Sequence, residues 1–197
     1  MKKELISDIK KYVNYLLIPL EDMYYHHYEH ALSVMERSVY LATMEWCSEE
    51  EIEMLIIAAL FHDTGFVIQY DWNEFFGAKI ANNYLRTILY PDDKTKIIQN
   101  IILATIPDRK PNTLLEKIIK DADMDNLWRD DFFDVSEKLK TEREIIKNIK
   151  IKDPDWQHAS LSILKWHTFY TSTQMQERQT KLEENKKKLK EKIEKQN

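Results

Sequence analysis

The amino-acid sequence predicts an all-α fold, a single helical bundle carrying a charged helix at its C-terminal end. Three observations point there. The chain has 197 residues but only two glycines and five prolines, whereas sandwiches, barrels and doubly wound sheets use many glycines in tight turns and phosphate loops. Apolar residues recur at three- and four-residue intervals in segment after segment, the period of a helix with one buried face. Hydrophobic residues make up 43% of the chain and aromatics 11%. That is core enough for one domain, in a chain too short for two large ones.

Each helix has its own signal. Leu5, Ile6, Ile9, Val13, Leu16 and Leu17 mark an amphipathic stretch that ends near Pro19. From about Tyr24 to Trp46, Ala31, Leu32, Met35, Val39, Leu41 and Ala42 supply the apolar positions. Ser48 with Glu51 reads as a capping box opening a third helix through Phe61. Its run from Leu55 to Phe61 is apolar all round, which places it at the centre of the core, and Gly65 is expected to stop it as a C-terminal glycine. Asp71 with Glu74 predicts the cap of a helix reaching about Leu89, and Asp92 or Asp93 opens another that ends before Pro107. After the loop from Pro107 to Asn112 comes a helix carrying Leu114, Leu115, Ile118 and Ile119. Shorter helical segments follow Asp123, then a cap at Asp153-Pro154-Asp155 and a helix with Trp156, Leu161, Leu164 and Phe169.

From Gln176 the character changes to eight basic and five acidic residues, with Leu182, Leu189 and Ile193 as the only aliphatics. The reading is a helical domain over 1–175 and a solvated, charged helical tail over 176–197; a nucleic-acid arm is the alternative for the tail. The chain as a whole carries a net charge of −5, which argues against a duplex-binding domain. No apolar run approaches the ~18 residues of a membrane span. The charged start Met1-Lys2-Lys3-Glu4 has no signal-peptide pattern, and the single Cys47 cannot form an internal disulfide. A cytoplasmic protein is expected.

Six histidines are present: His26, His27, His30, His62, His158 and His167. On a helix His26 and His30 would share one face a turn apart, with His27 turned roughly 100° away. His62-Asp63 closes the apolar third helix, where a carboxylate opposes the negative end of the helix dipole unless a cation lies nearby. Asp121, Asp123 and Asp125 alternate, so at most one or two can address a common centre. The others would cap the next helix or face solvent.

In this order and spacing, His30, His62-Asp63 and Ala122-Asp123 resemble the H…HD…D signature of the HD-domain superfamily of metal-dependent phosphohydrolases. Tyr25-His26-His27-Tyr28-Glu29-His30-Ala31 is similar to the first motif of its cyclic-nucleotide phosphodiesterase branch, Tyr-His-Asn-x-x-His-Ala, with His27 in place of Asn. The stretch from Ala58 to Gly65 resembles the second motif. Asp121-Ala122-Asp123 followed by Arg129-Asp130-Asp131-Phe132 resembles small stand-alone bacterial members. The likeness spans about 24–135, and more loosely 156–178.

That resemblance implies an HD-type helical bundle in which His30, His62, Asp63 and Asp123 hold a divalent ion. Two imidazoles and two carboxylates suit Mn, Fe, Co, Ni or Zn better than Mg. It further implies hydrolysis of a phosphodiester or phosphomonoester, in a nucleotide or similar small molecule, by a water that the ion acidifies. Asp63 would also orient that water, and His26 would protonate the leaving oxygen. Lys79, Arg109, Lys110 and Arg129 are the cations expected to hold phosphate, although Arg129 could instead pair with Asp125 or Asp130. No histidine lies between His62 and Asp123, where branches with a firm two-metal centre supply more, so one tightly held ion is expected. The competing reading is a non-catalytic helical nucleotide-binding or regulatory module with a metal-bound site. In either case the expected partner is a small phosphorylated molecule rather than nucleic acid or membrane, and a homo-oligomer is compatible with the sequence.

Overall fold

The computed structural model describes residues 3–20 and 24–195. Met1 and Lys2 of the charged start, and Gln196 and Asn197 of the tail, lie outside the described residues. Among the described residues the chain is helical throughout, without strands: α1 (Lys3–Leu17), α2 (Tyr28–Met44), α3 (Glu49–Phe61), α4 (Asn73–Thr87), α5 (Asp92–Ala104), α6 (Leu114–Asp123), α7 (Phe132–Lys147), α8 (Asp153–Trp166) and α9 (Ser172–Glu194). Short 3-10 turns cover Ile18–Leu20, Thr64–Val67 and Met124–Trp128.

The hub is α3. Its capping box is formed, with the Ser48 hydroxyl accepting from the Glu51 amide and the Glu51 carboxylate accepting from the Ser48 amide at 2.8 Å. Every residue from Met54 to Phe61 is buried, and α1, α2, α4, α5 and α6 pack around it. Each aliphatic side chain so enclosed contributes roughly 1.5–3 kcal/mol relative to exposure.

Both glycines of the chain lie where α4 meets the end of α3. A Cβ on Gly65 would stand 1.8 Å from the Asn73 carbonyl oxygen, and one on Gly77 2.7 Å from that of His62. Gly65 therefore does not cap α3 in the left-handed conformation expected of it: neither glycine has a positive φ, α3 ends at Phe61, and Gly65 sits in the following 3-10 turn. These positions are glycine because two backbones touch there.

Other helix starts also differ from expectation. The cap position of α4 is Trp72, and Asp71 instead forms an ion pair with Lys147. Pro91 precedes α5, leaving Asp92 and Asp93 in its first turn, where carboxylates meet the positive end of the helix. Lys152 precedes α8, and Asp153 pairs with Lys140. In place of short segments after Trp128, α7 is one 16-residue helix whose buried apolar residues are only Phe132 and Val135, too few to give a periodic signal.

A second cluster gathers Trp128, Phe132, Leu161, Leu164, Leu182, Leu189 and Ile193. Here α9 runs unbroken across residues 175 and 176, burying Leu182, Asn185, Leu189 and Ile193 along one stripe. The C-terminal helix is thus packed rather than solvated: its three aliphatics fall on one face and Asn185 donates to the carbonyls of Leu127 and Arg129, each at 3.1 Å. Among the described residues no helix is long and apolar enough to cross a membrane.

Candidate metal centre

Three helix ends converge on one point. His30 lies in the first turn of α2, His62-Asp63 directly follows α3, and Asp123 is the last residue of α6. His62 Nε2 stands 3.1 Å from Asp63 Oδ2 and 3.4 Å from Asp123 Oδ1, and His30 Nε2 stands 3.4 Å and 3.2 Å from the same two oxygens. The donor atoms of His30, His62 and Asp123 all lie within 4.8 Å of one another.

The donors fit a cation. His62 Nδ1 lies 2.7 Å from the Ala59 carbonyl oxygen, which can only accept, so Nδ1 carries the proton and Nε2 faces the carboxylates. His62 Nε2 and Asp63 Oδ2 are both buried without a hydrogen-bond partner. Acceptors facing one another in a buried place need a positive charge between them. Without an ion the site answers with a proton: burial by itself lowers the His62 pKa, but Asp63 and Asp123 outweigh it and raise it well above the ordinary value. Burial likewise raises the carboxylates, and the facing imidazoles outweigh it, holding both Asp63 and Asp123 below the usual carboxylate range. For His30 burial prevails, and its pKa is lowered. The mixed nitrogen and oxygen set suits a divalent transition ion, which would displace that proton on binding.

The neighbouring carboxylates are neither caps nor solvated. Asp121 is buried and accepts from the Tyr170 amide, the Thr171 amide and the Thr171 hydroxyl, the last two at 2.8 Å. Burial pushes its pKa up to about 6 against those bonds. Asp125 accepts from Gln174 at 2.9 Å and from Arg178 at 2.9 and 3.0 Å, with Arg37 beside it. Of the three alternating residues, the outer two fasten the start of α9, and only Asp123 addresses the site.

His26 precedes α2 rather than lying on it, since the helix begins at Tyr28 with His27 at its cap position. It still reaches the centre, its ring 5.8 Å from that of His30. What places it there is Glu142 of α7. One carboxylate oxygen accepts the amides of Tyr25 and His26, both at 2.9 Å, and the other meets His26 Nδ1. Burial by itself lowers the His26 pKa, but the Glu142 bond and the Asp63 charge outweigh it, and it is raised. His27 lies beside Glu29.

Two cavities flank the centre, and both reach Asp123. One of about 170 Å³ is lined by His30, Asp123, Tyr25, Ser33, Arg129 and Lys138, among others. A larger cleft of about 510 Å³ contains His26, Asp63 and Asp123, the aromatic residues Phe66, Tyr70 and Trp72, and the loop Thr105–Asp108. Of the four cations expected at phosphate, only Arg129 lines either cavity. It pairs with Asp131, not with Asp125 or Asp130, and donates to Ser33 at 3.4 Å. Lys79 is exposed on α4, Lys110 is exposed, and Arg109 is half-buried in its loop; none of the three lines a cavity at the centre.

The residues missed by sequence reading are Lys138, Glu142 and Lys120. Buried Lys120 donates to the carbonyls of Ala104, Ile106, Pro107 and Arg109 at 2.6–3.1 Å, holding the loop that edges the larger cleft. Its burial lowers its pKa. None of the three sits in a motif. Only their contacts reveal them.

An all-helical domain with two histidines and two carboxylates meeting at three helix ends fits a class, that of helical proteins whose side chains can hold a divalent ion. Comparison with known proteins gives the family. The HD domain family matches residues 27–125, half of the chain. A crystal structure described as that of a predicted HD superfamily hydrolase, from an uncultured Thermotogales bacterium, is similar at 22% identity with a TM-score of 0.57, over 72% of this chain and 83% of that one. At that identity the likeness is one of fold. No curated protein matches the chain. The chain belongs to the HD-domain family, whose superfamily is one of metal-dependent hydrolases.

Proposed function

We propose that the protein is a phosphohydrolase that cleaves a phosphodiester or phosphomonoester bond in a nucleotide or similar small molecule. The observation that carries this reading is the convergence of His30, His62, Asp63 and Asp123, with His62 Nε2 and Asp63 Oδ2 buried, 3.1 Å apart and neither hydrogen-bonded. Bound there, a divalent transition ion supplies a Lewis acid for a phosphoryl oxygen and lowers the pKa of a water toward ~7. Asp63 orients the attacking water. Glu142 holds Nδ1 of His26, so Nε2 is the nitrogen that carries the proton for the leaving oxygen, and the raised pKa keeps it loaded. Arg129, steadied by Asp131, and Lys138 bring positive charge to the smaller cavity, where a phosphoryl oxygen gains most from it.

Other features support a small-molecule substrate. Three of the basic residues of α9 that would serve a nucleic-acid arm are engaged within the chain: Arg178 with Asp125, Lys181 with Asp130 and Glu184, and Lys186 with Glu183. The cytoplasm, where a lone cysteine such as Cys47 stays reduced, is the proposed compartment.

The test is hydrolysis of bis(p-nitrophenyl) phosphate and a nucleotide panel with added Mn²⁺, with metal content measured in each sample. Wild type is expected to turn over at least one of them, and Asp63→Ala to lose roughly 10³-fold. No turnover by protein that contains metal would replace this reading with the regulatory nucleotide-binding module.

A further inference from the structure

Three helices end in the same kind of turn. From α2, α4 and α7 the chain leaves through one residue in the left-handed region: Trp46 at φ 61°, Leu89 at φ 55° and Asn148 at φ 49°. Each turn is closed by the paired bonds of a Schellman motif. The Cys47 amide donates to the Ala42 carbonyl at 2.9 Å and the Trp46 amide to that of Thr43 at 3.3 Å. Tyr90 donates likewise to Leu85 at 2.9 Å and Leu89 to Arg86 at 3.2 Å, and Ile149 and Asn148 repeat the pattern with Glu144 and Ile145. Glycine or asparagine fills such a position at least cost, because a larger side chain's Cβ crowds the backbone there. Of the three helices, α7 alone follows that rule. At the ends of α2 and α4 stand a tryptophan and a leucine, and nothing shelters them: Trp46 is 92% exposed and Leu89 90%.

These two side chains belong to one end of the bundle. Trp46 leads into α3 and Leu89 into α5, and the starts of those helices are tied together by the Lys94–Glu50 ion pair and by the Tyr90 hydroxyl, which donates to Glu53 at 3.0 Å. The candidate ion site lies at the other end of α3, a 13-residue helix, and so about 20 Å away. Met44 and Ile88, both exposed, extend the apolar surface. Beside Leu89 runs a groove of about 450 Å³, lined also by Arg86, Tyr90, Pro91 and Asp92, with room for an indole.

The folding of a single chain gives no reason to keep a strained backbone in order to expose large apolar residues. We infer that this end docks a second copy of the chain, Trp46 of each copy entering the groove beside Leu89 of the other. Knob and groove share one end, so a two-fold axis between them satisfies both contacts at once. In the groove the indole meets Leu89, Tyr90 and Pro91, and the Arg86 guanidinium gains a ring face. Both candidate ion sites then lie at the outer ends of the pair and stay open. The exposed carboxylates Glu49, Asp92 and Asp93 at the rim oppose the approach, so the attraction is apolar and salt, which screens them, strengthens it. For a basic protein partner, the other occupant, salt would act in the opposite sense. The inference needs neither the ion nor the phosphohydrolase reading.

Sedimentation equilibrium of the full chain from about 1 to 200 µM tests it, with dissociation expected at about 10 µM for a contact of this small size. Trp46→Gly and Leu89→Gly are each expected to weaken association at least about tenfold, and about 0.5 M NaCl to strengthen it a few-fold. The same substitutions should raise, not lower, the thermal midpoint of dilute monomeric protein, because glycine relieves the left-handed residue. A merely structural role for Trp46 would not give these opposite signs. Asn148→Gly, in the matching turn of α7, should leave association unchanged. A chain that stays monomeric at the highest concentration, or a dimer indifferent to Trp46→Gly, overturns the inference. So does a dimer that salt dissociates.

Discussion

Around α3, Leu55, Ile57 and Leu60 share one buried cluster with Ile98, Ile101, Ile102, Ile118 and Ile119, and the packing is almost wholly aliphatic. Around Trp128 far fewer apolar side chains are buried, and much of the order comes from polar contacts. Asp121 grips the chain at Tyr170 and Thr171, Asp125 gathers Arg37, Gln174 and Arg178, and Asn185 bridges to the Met124–Trp128 turn. The first region is held by a force that is non-directional and proportional to area. The second depends on partners at fixed distances and angles, so each loss leaves a buried group unsatisfied. The candidate metal ligands sit on the seam. His30 and His62 come from the aliphatic region, whereas Asp123 is flanked on either side by the carboxylates that fasten α9.

The harshest way to break the first region is Gly65→Ala. The new Cβ meets backbone atoms of Asn73 and Gly77, which cannot rotate aside, so the loss is expected to exceed ~4 kcal/mol. Urea unfolding measures it, and an unchanged midpoint would show that α4 does not press on that turn. A paired test sharpens the seam. Asp121→Asn should cost about 1–3 kcal/mol by weakening its bonds to Tyr170 and Thr171 while leaving Mn²⁺ affinity within about tenfold. Asp123→Asn should cost roughly 100-fold or more in that affinity. Equal effects of the two on metal binding would mean that the outer carboxylate reaches the ion.

The smallest expected effect lies in the second region. His167 packs its ring 3.8 Å from that of Trp128, and burial, with Lys186 and Lys120 adding to it, pushes its pKa down to about 4. Between the ordinary value near 6.5 and 4 the unfolded chain binds the proton and the folded chain does not. Stability from this group is therefore present above about pH 6.5, falls on acidification and levels off below 4. His167→Gln should flatten the urea midpoint across that window relative to wild type. An identical slope would place the histidine in water rather than in the cluster.

Legibility in the sequence followed the same division. The helices of the first region were readable because their apolar residues keep a period, and the candidate ligands because His30, His62-Asp63 and Asp123 stand in a recognisable order. Glu142 was not readable: it lies in a charged helix beyond residue 125, where the family match ends, and nothing local separates it from Glu137 or Glu144. In α9 the stripe Leu182, Asn185, Leu189 and Ile193 was present in the sequence but diluted by lysines, so its packing could not be told from solvation. The caps expected at Asp71 and Asp153 failed because each carboxylate found a lysine of α7, Lys147 and Lys140.

By itself the sequence determined the helical class, the central place of α3 and the residue types that meet at the candidate ion site, since all of these depend on local period and chemistry. Tertiary structure decided which of three alternating aspartates faces that site, that His26 is placed by Glu142, and that both glycines mark one backbone crossing. It also brought Trp46 and Leu89 to one end of the bundle. Those outcomes depend on distances between segments far apart in the chain, and only packing sets such distances.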